Sequence, residues 1–351
     1  MRDDTLIVGQ GLAGSLLAWQ LLRRGLPVRL VDAGGDNASR TAAGLVTPVT
    51  GKRWGMPADI ETWLAEARRC YRQLERQFGR RFWIERPRLR LYLDPADREL
   101  ARRRRRDPAY APFLGDEIET AGDGLRAPWG GIWLRQTAHL ETEALLDHLR
   151  QWFQQQGILH PQRLDPATLE PGNPVRWEGL EAHRVVFCDG WQVIHNPWFD
   201  WLPWQPSRGQ ILTVTADPPL PSFPVHCGVW LQPRDGGRWR LGASYRWQPL
   251  TTAVREEETA DLCRRFRQCF QSPPAIEITD VRAGIRPNTL DHRPIAGRHP
   301  RHPQLLVCNG LGSKGSLLAP RLCRLLAEHL CHGVPLPAAI DLRRHHDRPP
   351  H

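Results

Sequence analysis

The sequence predicts an α/β fold, α+β overall, in which a Rossmann-like parallel unit is joined to a separate antiparallel sheet. Three observations carry this expectation. Residues 6–32 run through a strand, a glycine turn, a helix and a second strand ending in an acid; residues 82–94 alternate apolar and charged side chains; and a strand, a glycine loop and a helix recur after residue 304. The outer two patterns suit a buried parallel sheet, the middle one a half-buried sheet.

Leu6, Ile7 and Val8 form a short apolar strand, and Gly9, Gly11 and Gly14 follow it with G-x-G-x-x-G spacing. Gly9 permits a tight turn, Gly11 lets the backbone approach a pyrophosphate, and Gly14 lets the next helix lie close to the strand. Unpaired N–H groups at that helix start, around Leu12 and Ala13, favour an anion. Ala13, Leu17 and Leu21 recur at i+4 with Leu12 and Leu16 beside them, and Gly25 and Pro27 stop the helix. The next strand ends at Asp32, beside Ala33, where a carboxylate accepts bonds from ribose hydroxyls. Strand, turn, helix and acid in one register predict a dinucleotide site.

At 351 residues the chain suits two domains or one large domain with an inserted lobe. A mean hydropathy of −0.49, with no apolar run near the roughly 18 residues that span a bilayer, predicts a soluble protein. A first strand starting at residue 6 leaves no room for a leader. Eight cysteines without a C-x-x-C pair or a Cys/His cluster imply reduced thiols in a cytoplasm and no metal site. The net charge of +10 and the arginine run 102–106 raise nucleic acid as a partner, but the simpler reading of the run is a solvated helix end following residues 95–101. Only Lys52 and Lys314 are lysines among 48 cationic residues, and both lie in glycine-containing loops.

Residues 34–58, rich in Gly, Ala, Ser, Thr and Pro, read as a long ligand-binding loop. An amphipathic helix over 59–79 follows, with Ile60, Trp63, Leu64, Ala67, Tyr71, Leu74 and Phe78 on one side and Gly79 as its stop. Strands are expected in 82–94 and 130–134, a helix over 139–157, and a strand over 185–187 that rejoins the N-terminal sheet. Asp235, Gly236 and Gly237 mark a hairpin turn. A helix over about 252–270, a strand over 305–309, a glycine loop and a closing helix complete the chain, with 342–351 expected as a disordered tail.

Several motifs together resemble the D-amino-acid oxidase superfamily of FAD-dependent oxidoreductases, which includes glycine oxidase and sarcosine oxidase: VGQGLAGS, AAGLVTP, VVFCDGW, PSRGQ, LGASY, AGIRPNTLDHRPIAG and NGLGSKGSLLAP, in that order. The resemblance implies an FAD-binding domain assembled from 1–58, 135–195 and 280–341, with a substrate domain from 59–134 and 196–279. It implies that Ala42, Ala43, Gly44 and Leu45 lie along the flavin, that Asp189, Gly190 and Trp191 contribute to the cofactor site, and that Gly310, Gly312, Ser313, Lys314 and Gly315 close over the pyrimidine side. Gly284 stands near the position where covalent members carry a cysteine, which implies non-covalent FAD.

The same resemblance assigns Arg286 to the substrate carboxylate, against the structural alternative of an ion pair with Asp291. Lys314 approximates a carboxylate-gripping lysine. Arg240 falls near a lysine that promotes reaction of the reduced flavin with oxygen, and is grouped with the substrate contacts. Tyr245 and the aromatic cluster Trp198, Trp201 and Trp204 are candidate pocket walls, against an ordinary packing role. The implied activity is oxidation of a C–N bond in an amino acid or N-substituted glycine by hydride transfer to flavin, in the cytoplasm, away from membranes, with oxygen or another electron acceptor. Two alternatives stay open. One is a carboxymethylaminomethyl group on a tRNA wobble uridine, and the other a flavin dehydrogenase or non-catalytic flavoprotein.

Overall fold

The computed structural model describes residues 4–35 and 37–347. Thr5–Val8 lies inside a six-stranded sheet whose order is Ile295–Arg298, Leu305–Asn309, Arg184–Phe187, Thr5–Val8, Val28–Val31 and Leu159–His160. All neighbours are parallel except the Ile295–Arg298 edge strand. Alternate residues feed two cores: Ile7, Leu30, Val186 and Leu306 enter one, and Leu6, Val31, Val185 and Val307 the other. Burial on both faces is why these strands read as continuous apolar runs. The helices Leu12–Leu22, Ile60–Phe78 and Gly315–His332 share the first core.

A second sheet of eight strands runs in the order Ala275–Arg286, Ser207–Asp217, Arg238–Gly242, Trp230–Arg234, Val225–His226, Arg88–Leu91, Gly131–Leu134 and Leu114–Ile118. It is antiparallel apart from the Val225–His226 and Arg88–Leu91 pair. Asp235 to Gly237 turn the hairpin between Trp230–Arg234 and Arg238–Gly242, as the Gly-Gly signal predicts. The helix Glu256–Arg267 covers the core on one face, with Leu262 and Phe266 buried against Leu212, Leu231 and Trp239. Leu45–Val46, Ala138–Leu140 and Trp83–Glu85 make a small third sheet, so residues 82–94 supply strands to two different sheets.

Several expectations need correction. The loop 34–58 contains a short helix, Ala38–Thr41, capped by the Asn37 side chain, and the Leu45–Val46 strand. His139 and Leu140 belong to a strand, and the following helix starts at Thr142. The arginine run does not follow its helix but continues it, through Arg105. In Arg88–Leu91 every residue is buried, arginines included, because Arg90 lies 3.5 Å from the Trp54 ring centroid and 3.3 Å from Asp97. The strand Ala275–Arg286 crosses the expected boundary at 279/280 as one element of the eight-stranded sheet. Of the expected disordered tail, Leu342–His345 forms a 3-10 turn with Leu342 buried against Gly297; residues 348–351 lie outside the described residues.

The thiol expectation fails for one pair. Cys227 and Cys269 form a disulfide with Cα atoms 5.6 Å apart, joining the segment before Trp230–Arg234 to the end of the Glu256–Arg267 helix. Their separation of 42 residues left no spacing signal, since only the tertiary fold brings them together. The other six cysteines are free. Among the described residues no helix is long and apolar enough to cross a membrane.

Candidate functional site

A cavity of about 310 Å³ opens where the C-terminal ends of the parallel strands meet the inner end of Ala275–Arg286. Its walls include Gly9, Gly11, Leu12, Ala13, Asp32, the run Ala42, Ala43, Gly44 and Leu45, and the turn Asp189, Gly190 and Trp191. Gly312, Ser313, Gly315 and Arg286 complete the set of sequence-expected residues on its surface. Segments separated by almost three hundred residues therefore converge on one space.

At one end the site is built from main chain. The helix Leu12–Leu22 begins at Gly11, which has no side chain to cap it, and carries no acid in its first turn; the Ser39 hydroxyl takes the Leu12 N–H, and the positive end of the helix still favours an anion. Gly14 lies beneath the turn rather than on the cavity wall; a Cβ there would sit 1.8 Å from the Gly9 carbonyl oxygen. Asp32 accepts the Gln10 and Gly34 N–H groups, each at 2.7 Å, and Arg150 Nη1 at 2.9 Å. Ala33 is adjacent in sequence but not on the wall. These features suit the pyrophosphate and ribose of an adenine dinucleotide: a positive helix end, no Cβ in the approach, and an oriented acid.

The middle of the cavity carries an unusual carboxyl. Asp189 is held by amide donors from Asn196 at 3.0 Å and Asn309 at 3.1 Å, yet burial outweighs them and pushes its pKa up to about 6. Asn309 also donates to the Gly190 carbonyl at 2.8 Å, tying the Leu305–Asn309 strand to the 189–191 turn. Gly310 packs behind the wall against Thr289.

At the far end the site is built from side chains. Arg286 donates to the Arg208 carbonyl at 3.0 Å and, more weakly, to the Ser244 carbonyl at 3.4 Å, and its Cζ lies 5.3 Å from the Tyr245 ring centroid. Its guanidinium lies flat over Gly209, where a Cβ would fall 2.1 Å from Nη2. Asp291 is not its partner, because Asp291 pairs with Arg344 at 3.1 Å. Burial lowers the Arg286 pKa, and no carboxylate closes an ion pair with it among the described residues. A guanidinium so placed is a ready receptor for an anionic group.

Other expected substrate contacts stand elsewhere. Arg240 faces a separate, charge-dense cavity of about 510 Å³, donating to the Ala42 carbonyl at 2.8 Å and facing Glu143 at 3.4 Å, so it braces the 42–45 segment from behind. Lys314 forms the N-cap of Gly315–His332 beside the wall, with its pKa lowered by burial, and its ammonium does not line the cavity. Trp198, Trp201 and Trp204 pack on the second core, their indole N–H groups bonded to backbone carbonyls. Sequence reasoning missed Ser39, whose hydroxyl accepts the Leu12 N–H at 3.1 Å, and the wall residues Gly209, Trp230 and Thr252. Ser39 lies just before the AAGLVTP motif and Gly209 inside PSRGQ, which were the available signals.

Comparison with known proteins agrees with this geometry. Residues 4–329 match the family model described as DAO, FAD dependent oxidoreductase. The chain is 27% identical over 356 residues to the tRNA 5-methylaminomethyl-2-thiouridine biosynthesis bifunctional protein MnmC of Idiomarina loihiensis, covering 94% of this chain and 56% of that protein. The chain thus spans about half the length of those bifunctional relatives. It is 24% identical to a glycine oxidase of Bacillus licheniformis, covering 93% of this chain and 92% of the relative. Among solved structures, glycine oxidase from Geobacillus kaustophilus superimposes with a TM-score of 0.78 at 20% identity, covering 93% of this chain and 94% of that one. With a family match across nearly its whole length and a glycine-turned, helix-headed cavity, the chain belongs to the DAO family of FAD-dependent oxidoreductases.

Proposed function

We propose that this protein oxidises a C–N bond of an amino acid or N-substituted glycine, with Arg286 holding the substrate carboxylate. The observation that carries this reading is an arginine on the cavity wall whose hydrogen bonds go to backbone carbonyls and whose guanidinium lies by one ring, with no acid in an ion pair with it among the described residues. Bound FAD supplies the electron sink for hydride leaving the carbon next to nitrogen. The chain's residues do the positioning. Gly9, Gly11, Leu12 and Ala13 would receive the pyrophosphate over the close helix packing that Gly14 permits, Asp32 the ribose, and the 42–45, 189–191 and 311–315 segments would enclose the remainder. Arg286 presents a planar fork that fixes the carboxylate, so the amine and α-carbon are held in one orientation inside the cavity. Gly284 offers no thiol and Cys308 is fully buried on its strand, which supports non-covalent FAD.

Protein reconstituted with FAD is expected to be yellow and to bleach anaerobically with glycine, sarcosine or another N-substituted glycine. Colourless protein, or flavin that no amine of the panel reduces, overturns the reading. Reduction with negligible peroxide on return to air identifies an acceptor other than oxygen. A tRNA-borne N-substituted glycine is the second reading, favoured by Arg103, Arg105 and Arg106, which stand exposed in and just after the last turn of Pro95–Arg105 without ion pairs among the described residues. It requires RNA binding that weakens steeply with salt.

A further inference from the structure

We propose that Glu258, which lines neither cavity, is the positioning residue of Arg286: each oxygen of its carboxylate anchors one of the two residues whose carbonyls hold the Arg286 guanidinium. The inference rests on the proposed role of Arg286 as receptor of the substrate carboxylate. Glu258 lies in the first turn of Glu256–Arg267 and is 2% exposed. Its Oε1 faces Arg208 Nε at 3.4 Å, and its Oε2 accepts the Ser244 hydroxyl. These are the residues that meet the arginine fork: Arg286 Nη1 donates to the Arg208 carbonyl at 3.0 Å, and Nη2 to the Ser244 carbonyl at 3.4 Å. One buried acid thus stands behind both prongs.

Both anchors are braced by further bonds. The Ser244 hydroxyl accepts the Gln210 N–H at 2.7 Å, and the Ser244 N–H donates to the Gln210 carbonyl at 3.1 Å. Arg208 is fully buried, exchanges backbone hydrogen bonds with Arg246 at 2.8 and 3.1 Å, and donates to the Ala253 carbonyl at 3.0 Å. The Gln210 side chain accepts the Arg255 N–H at 2.9 Å and donates to the Thr259 hydroxyl at 2.7 Å, one residue along the helix from Glu258. Residues 244–255 are thus tied at both ends and near the middle, and the two carbonyls under Arg286 stand in one rigid frame.

The indirect arrangement has a chemical purpose. A carboxylate paired directly with Arg286 would fill the face that receives an anion, whereas an acid one residue removed fixes the guanidinium and leaves its charge available. Two of the five N–H groups of a guanidinium go to the carbonyls, and three remain for a ligand. An arginine side chain otherwise loses much rotamer freedom on binding, and holding it beforehand removes that cost from the binding step.

The test is titration of FAD-loaded protein with methylthioacetate, a carboxylate with sulfur in place of the oxidisable nitrogen, following the flavin spectrum. Ser244→Ala, which cuts one link and leaves Glu258 paired with Arg208, is expected to weaken the probe about tenfold with FAD affinity unchanged, and Glu258→Gln to do the same. Should Glu258→Gln not fold, Ser244→Ala decides. In an Arg286→Ala background Ser244→Ala is expected to cost nothing further, because its effect passes through the guanidinium. Unchanged affinity in Ser244→Ala, loss of its FAD, or the same tenfold loss with Arg286 already absent overturns the assignment. If methylthioacetate leaves the wild-type spectrum unaltered, the receptor role of Arg286 fails instead, and the positioning is read from crystal structures of FAD-loaded wild type and Ser244→Ala. A guanidinium displaced from Gly209 in the variant supports it, and one that stays overturns it.

Discussion

Near Gly9 and Gly14 the cavity presents backbone N–H groups and one acid, all supplied within about thirty residues of chain, whereas at Arg286 it presents side chains assembled from three strands and a tied segment. The first end depends on the absence of side-chain atoms, the second on their placement. A defect at the backbone end therefore has nowhere to relax, while a defect at the side-chain end is absorbed by moving one flexible group.

The sharpest test is Gly14→Val, whose Cβ would meet the Gly9 carbonyl at 1.8 Å. Backbone cannot yield there, and a loss of at least about 4 kcal/mol or of all bound FAD is expected, read by thermal unfolding and flavin content. Retained FAD with normal stability would break the contrast.

Asp189, at the junction of the two ends, tests the burial that both share. Its folded pKa of about 6 exceeds the ordinary 3.8, so the fold holds this proton more tightly than the unfolded chain does. Its contribution is full below the unfolded value and is lost as pH rises through about 6, by up to about 3 kcal/mol. Urea unfolding at pH 4 and 7, wild type against Asp189→Asn, is expected to show that difference; parallel profiles would refute it.

Arg286→Ala is expected to keep FAD and to weaken carboxylate-bearing amines about 100-fold, with flavin titration as the measure. Loss of FAD instead would place Arg286 in the cofactor's support. Gly209→Ala is the mildest variant. Its Cβ displaces only the end of the Arg286 side chain, so about a tenfold loss of the same affinity is expected with stability nearly unchanged.

The same contrast sets what the sequence could disclose. The backbone end was legible because its requirements are local: glycine spacing, helix periodicity and the acid at residue 32 fall in one window. The side-chain end was legible only where a family motif reached it, as for Arg286. The space that Gly209 leaves for Arg286 joins residues 77 positions apart, the Arg208 and Glu258 pair 50, and the Cys227–Cys269 disulfide 42. Arg240 was misplaced for a related reason: strand residues alternate faces, and its position near a family lysine did not say which side of the 42–45 segment it would occupy. Buried Arg88 and Arg90 likewise made a fully covered strand look half exposed, since their partners Gln232 and Asp97 lie on other elements.

The long strand Ala275–Arg286 also bears on how such enzymes are recombined. It pairs along its length with Ser207–Asp217, and its last four residues form part of the cavity wall. A chimera joined at 279/280 would splice two ancestries within one hydrogen-bonded ladder, whereas a junction at 271–274 would carry the whole strand with its cofactor-side end and leave the other parent to supply a matching partner edge.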